Sequence, residues 1–311
     1  MNVVDEYSRV RVTLGFAAKN YGFEVVPAFA SEVTVTSIAH DVRQVHPGCL
    51  FVPLGHVDRR QLEAARDAGA YAALVPPEFR NEAVDLGIPL LVSSANPVAL
   101  GKLACDINCD PSSCVATFAV AGDDDDEIHA NVLRLADFLH MLGNPVGVIS
   151  DAGSSSLQRE LSLEYPLNIA DVQHTLSVCA EDGAAAVVIA LNSATLSKNA
   201  LQSVNIDVLG AEKSKVDDDS KSTTDATTNA TTTATTNISF YSLRQRYGFS
   251  SRDHSYCVTR STESDELAQL ADEIGGQNIK RHLSLAIAMV LAAGVRRGTI
   301  KSALRVSHEL R

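Results

Sequence analysis

The sequence has no apolar run long enough to cross a bilayer. Its longest, Leu283–Val295, falls short of the ~20 residues that a spanning helix needs. The opening MNVVDEYSRVRV mixes charges early and lacks the apolar core of a secretory signal. Cysteine is sparse, six in 311 residues, which excludes a disulfide-built scaffold. Cys105, Cys109 and Cys114 fall at C-x3-C-x4-C, but no fourth Cys or His lies close by. They therefore read as buried or half-buried reduced thiols rather than metal ligands. No histidine pair shows H-x3-H or H-E-x-x-H spacing. A basic stripe is missing too: 26 Lys and Arg stand against 38 Asp and Glu, a formal charge of −12. Eight of the acids sit in two runs, Asp123–Glu127 and Asp217–Asp219, and without them the balance is −4. With nothing to neutralise phosphates along a face, nucleic acid is excluded as a partner. These absences describe a chain expected in the cytoplasm, away from membranes.

What is present suits a globular α/β protein. Apolar residues make up 45% and charged residues 21%, enough for a sizeable core, and the length fits about two domains. Val33–Ala39 and Cys49–Leu54 are β-rich runs separated by a Pro47-Gly48 turn. Helical spacing up to Gly69, strand-like Tyr71–Val75 and Pro89–Ser93, and a helix opened by Asn96-Pro97 complete a small N-terminal domain, residues 1–115. A second unit, residues 116–311, starts on the apolar strand Cys114–Gly122. The acidic run follows, then a helix with Ile128, Val132, Leu135, Leu139 and Leu142 on one face and Gly143 at its end. VGVIS, a helix over Asp171–Asp182 and the continuous apolar run Ala184–Leu191 follow; such a run suits a buried parallel strand. Strand, tight turn, helix, strand is the layout of a nucleotide-binding unit. Residues 211–237 are Thr-rich and nearly free of large apolar side chains, so they read as a disordered insertion. Helices are expected again over Ser264–Ile274, Asn278–Ala293 and from Thr299 onward.

Three segments resemble the Mur ligase family. DVRQVHPGCLFVPLGHVDRR (Asp41–Arg60) is similar to the D-S-R-x-V-x-P-G-x-L-F-V-A segment that opens these enzymes. DVQHTLSVCAEDGAAAVVIALNSATL (Asp171–Leu196) is similar to the D-V-Q-H…E-V-S-S-H-x-L segment of UDP-N-acetylmuramoyl-tripeptide synthetases. GGQNIKRHLSLAIAMVLAAGV (Gly275–Val295) is similar to the F-N-x-x-N-x-x-A-A helix. The resemblance implies an N-terminal domain that receives the UDP end of a muramyl-peptide substrate and a P-loop-like central domain with a mainly parallel sheet. The family's third, amino-acid-binding domain has no counterpart in these residues. It further implies ATP-driven amide formation in peptidoglycan-precursor synthesis, and places Asp41, Arg43, His56, Asp58 and Ser193 at the UDP substrate.

The chemistry-bearing positions depart from that pattern. The phosphate loop G-T-N-G-K-[ST] is replaced by Gly122, Asp123, Asp124, Asp125, Asp126 and Glu127, with Asp126 in the lysine position. A phosphate loop relies on free N–H groups, a helix dipole and a lysine, all favouring negative charge. A carboxylate ~5 Å from a phosphate charge costs on the order of 3 kcal/mol at an effective dielectric near 20. The lost lysine removes roughly 1.5–3 kcal/mol more. Where the family has a metal-binding Glu and His, this chain has Ala190 and Ala194; where it has paired threonines, this chain has Tyr165-Pro166. EF-hand spacing fails, because Ile128 and Arg134 stand at its glycine and glutamate positions. The acidic run is expected to cap the following helix through Asp123 or Asp124; a loosely held Mg²⁺ or Ca²⁺ is the alternative. The expectation is a homologue without catalytic residues, cofactor or metal that binds a UDP-muramyl peptide, another Mur ligase or another wall-synthesis protein. A working Mg·ATP-dependent ligase with an altered site, and a plain interaction module, are the alternatives.

Overall fold

The computed structural model describes residues 11–94, 96–211, 240–250, 256–271 and 277–309. In chain order the elements are α1 (Leu14–Tyr21), β1 (Glu24–Val26), β2 (Ser37–Ala39), β3 (Cys49–Phe51), α2 (Arg59–Asp67), β4 (Ala72–Val75), α3 (Ala83–Leu86), β5 (Leu90–Val92) and α4 (Pro97–Ile107). Then come β6 (Ala116–Ala121), α5 (Asp125–Met141), β7 (Val146–Ile149), β8 (Ser154–Ser156), β9 (Arg159–Leu161), α6 (Ile169–Glu181), β10 (Ala186–Ala190) and β11 (Val208–Ala211). The last are α7 (Phe240–Tyr247), β12 (Tyr256–Val258), α8 (Thr262–Gln269), α9 (Gln277–Ala292) and α10 (Arg297–Glu309). The chain divides into two compact units. One holds the described residues up to Pro111 with Asn168–Ser177 and Asn199–Val204; the other holds the rest.

The first unit is built on a five-stranded sheet, order β1-β5-β4-β3-β2, parallel except for the antiparallel β1 edge. Leu50, Leu90 and Leu91 on the strands, Leu62 on α2 and Leu103 on α4 are fully buried. Caps set the helix boundaries: Asn96 accepts from Val98 N–H ahead of Pro97, and Asp58 accepts from Arg60 N–H. The strand expected over Val33–Ala39 joins this sheet only at Ser37–Ala39. Its first half pairs elsewhere, with Val35 N–H donating to Val12 O and Leu14 N–H to Val33 O, both at 2.9 Å.

The second unit carries a seven-stranded sheet, order β12-β11-β6-β10-β7-β8-β9. From β12 to β7 all pairings are parallel. Central β10 is buried throughout and registers Val188 against Phe118 on one side and Val148 on the other. Helix α5 packs its Val132, Leu135 and Leu139 face into a core shared with Leu285 and Met289 of α9. The antiparallel hairpin β8–β9 was not legible in sequence, because its Ser-Ser-Ser strand has no apolar period. Hydrogen bonds hold it instead: Ser156 Oγ and Arg159 both donate to Asp182, each at 2.5 Å. Ala211, read as the start of the Thr-rich insertion, is a buried β11 residue; the rest of that stretch, and the start of the third resembling segment, lie outside the described residues.

Gly210 is forced by packing. A Cβ there would lie 2.3 Å from Met289 Sδ, and Met289 is fully buried. Gly210→Ala is expected to cost about 1–3 kcal/mol by overpacking. Urea unfolding should show the loss in Gly210→Ala/Met289→Ala to be smaller than the sum of the single losses. No helix among the described residues is long and apolar enough to cross a membrane.

Candidate functional site

In parallel α/β sheets, ligands bind beyond the carboxyl ends of the strands, and the residues singled out from the sequence are placed there. In the first unit, Asp41 and Arg43 follow β2, while His56 and Asp58 follow the neighbouring β3. Asp41 Oδ1 accepts from Arg43 N–H (2.8 Å), and the Arg43 guanidinium pairs with Asp41 Oδ2 at 2.7 Å. The Arg43 side chain and its backbone N–H hold the Asp41 carboxyl at about 2. Arg43 is 77% exposed and His56 is exposed. Asp58 is the α2 cap. Ser193 is exposed in the turn after β10 and belongs to the second unit.

The second unit places the acidic run between β6 and α5. Gly122 has a packing role: its Cβ would meet Ile128 Cγ1 at 3.0 Å. Asp123, Asp124, Asp125 and Asp126 are exposed, with Asp124 the α5 cap, accepting from Asp126 N–H at 2.9 Å. Asp125, Asp126 and Glu127 fill the first turn, where the helix dipole favours negative charge. Glu127 turns away, and its Oε2 meets His282 Nε2 of α9 at 2.7 Å, both side chains largely buried. Burial pushes the Tyr247 phenol up; Arg246 opposes the rise and the Asp125 charge adds to it.

Beside this loop lies a network that the sequence did not reveal, since no histidine other than His56 was given a role. Asp151, two residues beyond β7, receives three donors on Oδ1: His129 Nε2 at 2.8 Å, Thr195 Oγ1 at 2.6 Å and Asn192 Nδ2 at 3.3 Å. Asp151 N–H donates to Thr195 Oγ1 (3.0 Å), and Thr195 N–H donates to Asn192 Oδ1 (2.8 Å). Facing a carboxylate fixes the proton of a neutral His129 on Nε2. Burial would raise the Asp151 carboxyl, but the bonds from Thr195, His129 and Asn192 outweigh it and hold it below its usual range. Ser154 Oγ and Tyr165 OH are 2.6 Å apart, and Tyr165 OH donates to Ser150 O at 2.7 Å, closing the neighbouring turn. The available signal was positional: Asp151 and Asn192 each follow one of two adjacent parallel strands.

The α5 N-terminus has few groups that would meet a phosphate. The N–H of Asp126 is taken by Asp124, no lysine stands in the turn, and buried Ala190 offers no ligand. Among the described residues no group of three or more His, Cys, Asp or Glu is placed to hold a metal. The clustered cysteines are more exposed than their spacing suggests. Only Cys105 is half-buried, its thiol donating to Asp110 Oδ1 at 3.6 Å and pushed up to about 12 by burial, with the Asp110 charge adding; Cys109 and Cys114 are exposed. Cys109 and Asp110 form an exposed left-handed pair, φ 59° and 48°, after α4 ends, whereas Cys114 lies beyond the buried Pro111 and Ser112.

The cap itself is testable. Asp124→Ala should cost about 1 kcal/mol in urea unfolding, whereas Asp123→Ala, which accepts no capping bond, should stay within about 0.5 kcal/mol.

No protein-family model matches the chain, and no curated protein does. Solved structures do, in 45 chains. One crystal structure of MurF from Acinetobacter baumannii aligns with a TM-score of 0.56 at 14% identity, covering 94% of this chain and 68% of that one. A second gives a TM-score of 0.53 at 14% identity over 94% of this chain and 67% of that one. The UDP-N-acetylmuramoylalanyl-D-glutamyl-2,6-diaminopimelate--D-alanyl-D-alanyl ligase structure from the same organism gives 0.54 at 14% identity over 94% and 68%. A UDP-N-acetylmuramoyl-L-alanyl-D-glutamate--2,6-diaminopimelate ligase structure matches 66% of this chain and 41% of its own, with a TM-score of 0.45 at 16% identity. The chain thus spans about two thirds of the MurF structures it matches and shares their fold.

Proposed function

We propose that this chain is a Mur-ligase-fold protein that does not use ATP and that recognises the UDP end of a muramyl precursor through its first unit. The observation carrying the proposal is the α5 N-terminus: Asp124 takes one of its free donors and three further carboxylates occupy its first turn. Helix N-termini attract phosphate because their N–H groups lack partners and the dipole is positive. Here the chain supplies that negative charge itself. Across the end of the sheet, Asp151 is engaged by His129, Thr195 and Asn192, which fixes a further carboxylate beyond the carboxyl end of β7.

The first unit carries the opposite character. Arg43 is exposed and preset by Asp41, in a loop that neighbours the one carrying His56 and Asp58. A guanidinium held in one orientation suits a diphosphate, since its planar fork meets phosphate oxygens in pairs. The Asp41 carboxyl, held near 2, keeps that orientation down to strongly acidic pH.

Titrating uridine diphosphate into the protein should give saturable heat, and Arg43→Ala should weaken it by about 10–100-fold, the loss of one charge-assisted contact of roughly 1.5–3 kcal/mol. Saturable binding that Arg43→Ala leaves unchanged would remove this loop from the binding site.

A further inference from the structure

Two loops leave the parallel pair β2–β3, and their separation fixes how far Arg43 stands from His56. Backbone pairing ends with Val52 N–H donating to Ala39 O at 2.8 Å. One residue further, the ladder continues through a side chain: His40 Nδ1 lies 2.6 Å from Val52 O. A carbonyl can only accept, so Nδ1 carries the proton. His40 Nε2 is buried without a hydrogen-bond partner. Burial pushes the imidazole below its ordinary range, against the raising effects of the Val52 carbonyl, the Asp171 carboxylate and the Asn168 side chain. His40 immediately precedes Asp41, and Val52 immediately precedes the Pro53–Asp58 loop. All these residues belong to the first unit.

A histidine facing a neighbouring carbonyl at the end of a strand pair spends its one donor on loop spacing. The Asp41–Arg43 loop forms a three-residue 3₁₀ turn, stabilised by Asp41 itself, and the Pro53–Asp58 loop ends in the α2 cap. Val42 and Val57 share one hydrophobic cluster, and the His40 bond to Val52 O adds a directional polar contact at the base of both loops. We infer that His40 is a positioning residue for nucleoside-diphosphate recognition: its Nδ1–H bond to Val52 O sets the register of the Asp41–Arg43 and His56–Asp58 loops. This rests on the reading that those loops hold the UDP end.

Two polar variants separate the roles. Asn places its amide donor near the position of His Nδ1, whereas Gln places its donor near Nε2. Uridine diphosphate titration and amide hydrogen exchange of residues 41–46 and 53–58 are measured on the full chain, with β4 amides as the internal reference. His40→Gln should weaken binding at least 10-fold and speed exchange in both loops, with β4 exchange unchanged. His40→Asn should restore both to within about threefold of the unmodified chain. Unchanged loop exchange in His40→Gln overturns the positioning role, as does faster exchange with full affinity. If the unmodified chain does not bind uridine diphosphate while His40→Gln still loosens both loops, the UDP reading falls and the loop-spacing role stands.

Discussion

Asp123→Asn, Asp125→Asn and Asp126→Lys together are expected to make the protein bind inorganic tripolyphosphate at least about 100-fold more tightly than the unmodified chain. Each carboxylate near 5 Å from a phosphate charge repels by about 3 kcal/mol at an effective dielectric of 20. These side chains are exposed, and salt screening reduces that figure; a third of it, about 1 kcal/mol for each neutralised group, is kept here. The new lysine adds roughly 1.5–3 kcal/mol. The sum exceeds about 3 kcal/mol, or a hundredfold in affinity. Asp124 is left in place because it caps α5, and Glu127 because it meets His282. Removing first-turn acids costs α5 about 0.3–1 kcal/mol each in dipole stabilisation, so the variant gains affinity while its melting temperature falls. Equal affinity in the two proteins, measured by calorimetry at low salt, would show that loop charge is not what excludes phosphate.

Asp151→Ala is expected to destabilise the second unit by about 3 kcal/mol. It removes the common acceptor of three donors, one of them an imidazole, and leaves them partly buried without it. The side chain retains 23% exposure, so water satisfies part of what is lost and the cost stays below that of a fully buried pair. The pH dependence has a definite sign. The folded-state Asp151 carboxyl lies below its unfolded value, so its contribution is complete above the usual carboxylate range near 4 and fades as pH falls through the folded value. Urea unfolding at pH 7 should therefore show the full difference between the two proteins, and at pH 3 a smaller one. A difference that grows on acidification would contradict the assignment of Asp151 as the ionised centre of this network.

Much of the fold was legible because the strongest sequence signals had local causes. Asn96-Pro97 opens α4, Gly143 follows α5 with φ of 86°, and the continuous apolar run became the buried central β10. The acidic cap was legible for the same reason, since an Asx cap acts within two residues. What was missed depends on contacts between distant parts of the chain. The Val33–Val35 segment left its expected strand to pair with Val12–Leu14, and β8–β9 is held by Asp182, far along the chain. His129 and Asp151 are 22 residues apart and Asp151 and Thr195 are 44 apart; only the order of strands in the sheet brings them to one edge. Composition carries no trace of that order. Cys109 escaped the sequence reading for a backbone reason, since it and Asp110 adopt an exposed left-handed pair that no spacing rule marks.

We propose that the acidic turn after β6 does not take a nucleoside triphosphate. Calorimetric titration of the unmodified protein with Mg·ATP tests it most directly. No saturable heat up to millimolar ATP, corresponding to binding weaker than about −4 kcal/mol, is the predicted result. Saturable binding tighter than about 100 μM, roughly −5.5 kcal/mol, would contradict it and would mean that a cation other than the missing lysine neutralises the phosphates.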